Sequence, residues 1–292
     1  MTTQSITSIT HGQKKQYLRF VEDAAERALK EVGLDKDGLQ TLIEHGNEFQ
    51  TRIITGIREL SVSNRFADEE VESEYGYLSG YQPKGVADQI ARLRELFPEL
   101  GTADVEIANR ELPPNAEGWF AIPRWDKIAP TYNAAVEKVL ALISKARDGK
   151  FYNYREGNLG PNRLRQHERT VAVLKKLGDQ QTEHDILIVP AQFGLRHRGR
   201  SVRRAREVFN ASEFGLGAFA VGIMLLTHPE RLQHYDDLSI DCAGDEYDDP
   251  GDGGRFSRAP CFDFCGGEVR FGARWFDGAR DDCGSASGFV SQ

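Results

Sequence analysis

The chain has 292 residues, a formal net charge of -8 at pH 7 and 39% hydrophobic residues. This composition excludes an intrinsically disordered chain, and the length suffices for one large domain or two ordinary ones. The longest apolar stretch, 214–226, is too short to span a bilayer, and the first 16 residues lack the apolar core of a secretion signal. We therefore expect a cytoplasmic protein that makes no membrane contact.

The first 112 residues are predicted to be a helical region. Apolar residues follow helical spacing in two stripes, from Tyr17 to Val32 and from Leu39 to Ile57. An acidic loop at 67–85 then precedes a third helix, which Pro98 ends. The paired prolines at 113–114 indicate a boundary, so the predicted domains are 1–112 and 113–292.

The second region is predicted to mix helices and strands. "WFAI" is typical of a short strand, and a long amphipathic helix follows it through Tyr132 and Ile143. Further on come a helix in "RTVAVLKKL", a buried strand in "DILIVPAQ" that Pro190 ends, a helix that Ser201 opens, and an apolar helix within 214–226. The predicted fold class is α+β, with a helical N-terminal region, a mixed α/β region and a C-terminal β-hairpin.

The hairpin "APCFDFCGGEVRFGARWF" permits a prediction of strand register. Gly266 and Gly267 form a two-residue turn between two alternating segments. Counting from that turn pairs Phe264 with Val269 and Phe262 with Phe271 on one face, and Asp263 with Arg270 and Cys265 with Glu268 on the other.

Positive charge is concentrated in one part of an acidic chain. Residues 145–206 hold 15 Lys and Arg against six Asp and Glu. Guanidinium groups beside a strand-loop-helix junction are typical of a phosphate-binding site, because they add donors to the helix N-terminus. The predicted anion-binding residues are Arg196, Arg198, Arg200, Ser201, Arg203 and Arg204. The alternative is an internal partner, since eight acidic residues lie between Asp236 and Asp252.

Two further ligand predictions depend on these segments. Asp241, Asp245 and Glu246, at a strand end, could hold Mg²⁺ while the arginines hold phosphate oxygens. Tyr152 and Tyr154 lie in a basic stretch, where aromatic rings could stack on bases of single-stranded nucleic acid or of a nucleotide. The alternative for both tyrosines is core packing.

The cysteines and one histidine give weaker signals. Cys242, Cys261, Cys265 and Cys283 are expected to be free thiols, with a zinc site as the alternative, because paired Cys-x-x-Cys spacing is absent. His228 closes the apolar helix, where an imidazolium would favour the helix dipole. A capping role is preferred there to a catalytic one.

The segments "EGWFAIPRW", "PAQFGLRHRGRSVRRAREVF", "IDCAGDEY" and "GSASGF" resemble uncharacterised bacterial hypothetical proteins, over roughly the C-terminal 60% of the chain. The resemblance implies a bacterial intracellular origin and no mechanism. The residues themselves favour binding of a phosphate-bearing ligand, a nucleotide or nucleic acid, with metal-assisted phosphate chemistry as an extension. The alternative is a non-enzymatic interaction protein whose opposite charges join the subunits of a homo-oligomer or other partners.

Overall fold

The structure, a computed structural model, describes residues 11–61 and 64–290, with only the backbone at residues 13, 55 and 57–61. Residue contacts divide the chain into two units, Met1–Ser61 and Val62–Gln292. The predicted boundary at 112/113 falls inside the second unit. No described helix is long and apolar enough to cross a membrane.

The first unit consists of helices α1 (His11–Val32), α2 (Lys36–Glu44) and α3 (Gly46–Ser61). Asp35 caps α2, because its side chain accepts a hydrogen bond from Gly38 N. A break at His45 divides the second predicted stripe into α2 and α3. Many apolar side chains of this unit, such as Leu18, Phe20 and Ile43, are exposed.

The second unit carries the remaining helices and all strands of the described residues. Its helices are α4 (Val86–Leu96), α5 (Tyr132–Ala146), α6 (Glu168–Gln180), α7 (Val202–Val208) and α8 (Ala218–Thr227). Its strands are β1 (Gly118–Pro123), β2 (Phe151–Asn153), β3 (Leu164–Gln166), β4 (Ile186–Gln192), β5 (Glu213–Gly215), β6 (Ser239–Asp241), β7 (Asp245–Tyr247), β8 (Arg258–Cys265), β9 (Glu268–Trp275), β10 (Cys283–Ser285) and β11 (Ser287–Phe289). Helices lead the chain and strands dominate its C-terminal part, so the fold class is α+β, as predicted.

The strands form two sheets. The four-stranded sheet is antiparallel and has the order β1-β4-β11-β5. In the seven-stranded sheet, β8 pairs with β9 on one side and with β6 and β7 on the other. Strands β10, β3 and β2 complete that sheet by pairing with β6, β7 and β9.

Helix α8 is the centre of the core. All ten of its residues are buried, because it packs against α4, α5 and β1. A Cβ atom on Gly222 would lie 2.5 Å from Val139 of α5, so glycine allows this close helix approach. The predicted apolar helix is confirmed, although its first residues belong to strand β5.

The hairpin β8–β9 has the predicted register at all four pairs. Gly266 and Gly267 both have positive φ, 66° and 85°, as a tight turn of this kind requires. The prediction that Pro190 ends its strand is wrong, because β4 continues to Gln192. Strand β11 pairs with Ala191 and Gln192 but not with Pro190, so no ladder bond to β11 is lost at the proline.

Candidate functional site

The arginines predicted to bind an anion are largely paired inside the chain. Helix α7 begins after Ser201, whose hydroxyl accepts a hydrogen bond from Arg204 N and donates one to Glu69 at 2.7 Å. Arg203 pairs with the same Glu69, and Arg200 and Arg204 pair with Glu70 at 3.2 and 2.5 Å.

The two other arginines of this loop have different environments. Arg196 lies 3.2 Å from Glu213, which also accepts hydrogen bonds from buried His197 and Ser287 at 2.7 Å each. Burial alone would raise the pKa of Glu213, but the hydrogen bonds and charges of its partners lower it. Arg198 is exposed and donates to the carbonyl of Tyr75.

The carboxylates that pair with the arginines of 196–204 belong mainly to Glu69, Glu70, Glu207 and Glu213. The acidic residues of 236–252 have other partners. Arg155 lies 2.8 Å from Asp249, and Arg165 lies 2.7 Å from Glu246. The acidic segment therefore meets the other predicted basic stretch, and it reaches helix α7 through Arg206.

The three predicted metal ligands are not brought together. Asp245 is fully buried. Both of its carboxylate oxygens accept a hydrogen bond from the Tyr132 hydroxyl, at 2.8 and 2.7 Å, and one of them also accepts a hydrogen bond from Ala218 N. Burial raises the pKa of Asp245 to about 7 and that of Asp241 to about 6. Glu246 follows Asp245 in strand β7, so its side chain points to the other face. Among the residues that the structure describes, no group of three or more His, Cys, Asp or Glu side chains could hold a metal ion.

Tyr152 and Tyr154 are 51% and 55% exposed, so neither is packed in the core. Their ring centroids lie 4.6 Å apart in an edge-to-face arrangement. Tyr152 is paired with Arg270 across strands β2 and β9. Base stacking at this surface stays a prediction.

None of the four cysteines forms a disulfide bond, and Cys242, Cys261 and Cys283 are buried. His228 does cap helix α8, but its imidazole is neutral, because burial lowers its pKa to about 4. Its Nε2 atom accepts Lys84 N at 2.9 Å, which a protonated nitrogen could not do. The predicted imidazolium is therefore wrong.

A cleft of about 490 Å³ opens between the start of helix α6, helix α7 and the end of strand β9. We call it the basic cleft. Its charged and aromatic lining residues are Arg65, Arg169, Arg203, Arg206, His167, Glu168, Glu207, Phe66, Phe209 and Phe276.

The local structure around the basic cleft fixes these side chains. His167 is the N-cap of α6, and its Nδ1 atom accepts Arg169 N at 3.3 Å. Arg206 donates to the carbonyls of Ala243 and Asp245 at 2.9 and 2.8 Å. The guanidinium group of Arg203 lies 4.1 Å from the Phe66 ring centroid and 5.3 Å from that of Phe276, so Arg203 is held between the two rings.

The basic cleft holds positive charge that is only partly compensated. Burial lowers the pKa of Arg169, Arg206 and His167, because desolvation penalises their cationic forms. Within the described ranges 11–61 and 64–290, neither Arg65 nor Arg169 forms a salt bridge to a carboxylate. Glu207 accepts the backbone N–H groups of Arg65 and Phe66 and a hydrogen bond from Arg204. An anion in the basic cleft would therefore find donors that no lining carboxylate occupies.

Of the six predicted anion-binding residues, only Arg203 lines the basic cleft. Arg169 and Arg206 lie in the basic part of the sequence, and the charge count could have indicated them. Arg65 is far from that part and carries no sequence signal. No family model, curated protein or solved structure matches the chain.

Proposed function

We propose that the protein binds a phosphate-bearing small molecule in the basic cleft. The observation that carries the proposal is the group of three basic side chains whose pKa values burial lowers, Arg169, Arg206 and His167. Basic groups whose pKa values burial lowers and that converge in one cleft are candidates for a functional site.

Phosphate chemistry fits the donors of the basic cleft. Guanidinium groups bind phosphate oxygens through charge-assisted hydrogen bonds, and a ligand anion would offset the desolvation of Arg169 and Arg206. Helix α6 begins at the basic cleft, and its dipole adds a favourable field for a negative group. Since Arg203 already lies over Phe66 and Phe276, these rings support the arginine instead of a nucleotide base.

The proposal requires no resident metal. The predicted Mg²⁺ ligand Asp245 turns its carboxylate to Tyr132 and Ala218, while its carbonyl accepts Arg206. Any Mg²⁺ would have to arrive with the phosphate groups, which commonly complete its coordination.

Thermal denaturation at low salt tests the proposal, with inorganic phosphate, pyrophosphate and adenosine mono-, di- and triphosphates as ligands. Binding to the folded state alone adds about 2.7 kcal/mol at a hundredfold excess over Kd, so Tm should rise. Arg169→Gln should weaken binding about tenfold, as expected for one charge-assisted hydrogen bond worth ~1.5 kcal/mol or more.

Arg198→Gln is the matched control, because Arg198 is exposed, lies outside the basic cleft and donates its side-chain hydrogen bond to the carbonyl of Tyr75. It should bind the ligands as the parent does. The proposal fails if no phosphate compound raises Tm, or if the Arg169 and Arg198 variants lose affinity equally.

The alternative function is a non-enzymatic interaction protein with charge-segregated faces. This alternative depends on positive charge that is free to contact a partner. The arginines of 196–204 pair with Glu69, Glu70 and Glu213, so less of their positive charge remains for a partner. A sedimentation experiment distinguishes the two functions, because a charge-joined oligomer would dissociate as salt is raised.

A further inference from the structure

A cavity of about 340 Å³ lies between helix α6, the end of strand β1 and the start of helix α8. It shares no lining residue with the basic cleft, and we call it the aromatic pocket. Its volume lies at the lower end of the range for small-molecule sites. Most of its lining residues are apolar, among them Ile122, Trp125, Tyr132, Leu174, Leu187 and Phe219.

Three aromatic rings follow one another along the wall of the aromatic pocket. The ring centroids of Trp125 and Tyr132 lie 6.1 Å apart with an interplanar angle of 87°. Those of Tyr132 and Phe219 lie 6.4 Å apart at 59°. Aromatic rings prefer such inclined contacts, because the positive edge of one ring meets the negative face of the next. A planar aromatic ring that enters the pocket can extend this series, and an aliphatic ring cannot.

The polar groups behind this aromatic wall are already paired. The Tyr132 hydroxyl donates to the buried carboxylate of Asp245, which also accepts a hydrogen bond from Ala218 N. The hydroxyl proton and the carboxylate are therefore used within the fold, and the wall presents the ring of Tyr132 to a ligand.

The charged residues of the aromatic pocket balance one another. Arg124 and Lys175 carry two positive charges, and Asp126 and Asp179 carry two negative charges. Arg124 donates to three backbone carbonyls, and the three other residues are exposed. A charged group in the interior would lose its water without gaining a counter-charge, which is costly. The pocket therefore favours an uncharged ligand.

Gln166 gives the aromatic pocket a neutral hydrogen-bonding group. It is paired with Asp245 across strands β3 and β7, so the two side chains lie on the same face of the sheet. The Gln166 side chain lines the pocket and forms no hydrogen bond with any described residue. Because an amide has both donors and an acceptor, it can pair with a second amide in a ligand.

We propose that the aromatic pocket is a second ligand site, which binds an uncharged planar aromatic compound that carries an amide group. The ring packs against the aromatic wall formed by Trp125, Tyr132 and Phe219, and the amide pairs with Gln166. Neither contact requires phosphate, so this class of ligand is distinct from that of the basic cleft.

Benzamide and nicotinamide are the probes that test this proposal. Cyclohexanecarboxamide, which lacks the aromatic ring, and benzoate and benzylamine, which each carry a charge, are the matched compounds. In calorimetric titration of the full chain, benzamide or nicotinamide should bind about threefold or more tighter than cyclohexanecarboxamide. Either amide should bind about tenfold or more tighter than benzoate or benzylamine. The proposal is overturned if neither aromatic amide binds, or if any matched compound binds as tightly as benzamide.

Trp125 reports whether the ligand lies in the aromatic pocket. Benzamide should change the tryptophan fluorescence of the parent and of Trp275→Phe, but not that of Trp125→Phe. Trp275 is the control, because its side chain is 47% exposed and does not line the pocket. A fluorescence response that persists in Trp125→Phe places the ligand elsewhere and overturns the proposal.

Gln166→Leu keeps a side chain of similar size and removes the amide, so it should weaken benzamide binding about threefold or more. Gln180→Leu, the same change at an exposed position outside the pocket, should leave binding unchanged. Circular dichroism checks that both variants are folded, and equal affinity in the two folded variants overturns the role of Gln166. Since none of these compounds contains phosphate, and neither Gln166 nor Trp125 lines the basic cleft, the result is independent of the phosphate proposal.

Discussion

His228 illustrates how burial decides the chemistry of a single residue. Its ring is buried beside Phe120, Tyr81 and Phe193, and its Nε2 atom accepts Lys84 N. Desolvation lowers the pKa of His228 from 6.5 to about 4. The imidazole therefore acts as a hydrogen-bond acceptor that joins segment 64–85 to the end of helix α8.

This pKa shift predicts a pH dependence of stability. As pH falls from about 6.5 to about 4, the unfolded chain binds a proton at His228 before the folded chain does, so the free energy of unfolding decreases. At one pKa unit per 1.36 kcal/mol, the loss amounts to about 3 kcal/mol. Urea denaturation at several pH values, in the parent and in His228→Gln, measures this contribution.

The comparison with the variant is necessary because Asp241 and Asp245 act in the opposite direction. Their raised pKa values mean that stability falls as pH rises from about 4 to about 7. Asp241 and Asp245 are present in both proteins, so their contributions cancel when the two free energies of unfolding are subtracted. The free energy of unfolding of the parent, relative to that of His228→Gln, should increase as pH rises from 4 to 6.5. A difference that stays constant over this range would contradict the lowered pKa of His228.

Helix α7 depends on tertiary contacts, because it has only seven residues. Isolated helices of this length are unstable in water. Val202, Ala205 and Phe209 pack against Ala243 and Ala259 in a small second core. At its start, Ser201 both caps the helix and contacts Glu69, so this residue connects α7 to segment 64–85.

We predict that Ser201→Ala lowers the free energy of unfolding by about 2 kcal/mol. Loss of an N-cap costs about 1 kcal/mol, and loss of a hydrogen bond to a charged group adds at least as much. Thr131→Ala is the control, because Thr131 caps α5 in the same way and forms no hydrogen bond to a carboxylate of the described residues. Chemical denaturation should therefore show a smaller loss for Thr131→Ala, and equal losses would mean that the bond to Glu69 contributes nothing.

At the scale of the whole molecule, the hydrophobic core lies in one unit. Every buried hydrophobic residue of the described chain lies between Tyr81 and Phe289. The basic cleft also consists of residues beyond position 64. The second unit thus contains both the hydrophobic core that a folded domain needs and the basic cleft.

We therefore predict that a chain beginning at Val62 folds and keeps its affinity for phosphate compounds. Burial of apolar surface is the main favourable term in folding, and the described core is retained in this fragment. Circular dichroism and thermal denaturation should show a cooperative transition within a few degrees of that of the full chain. A fragment that is unfolded, or that melts without cooperativity, would show that the first unit contributes to the core.

Features that depend on neighbouring residues could be predicted from the amino-acid sequence. The pairing of Phe262 with Phe271 followed from the Gly266–Gly267 turn, since a two-residue turn fixes strand register. Ser201 as the start of a helix and the buried character of α8 also followed from local pattern. These features need information from only a few adjacent positions.

Which charged side chains pair with each other depends on tertiary packing. The arginines of 200–204 pair with Glu69 and Glu70, more than 120 positions away, although eight acidic residues lie nearer in the sequence. The basic cleft joins Arg65 to Arg169 and Arg206, and Tyr77 contacts both Glu117 and Arg231. A long charged side chain has no periodicity that identifies its partner, and each exposed pair contributes little energy. The packing of the core places these segments together, and each charged side chain pairs with the oppositely charged side chains that lie near it in the fold.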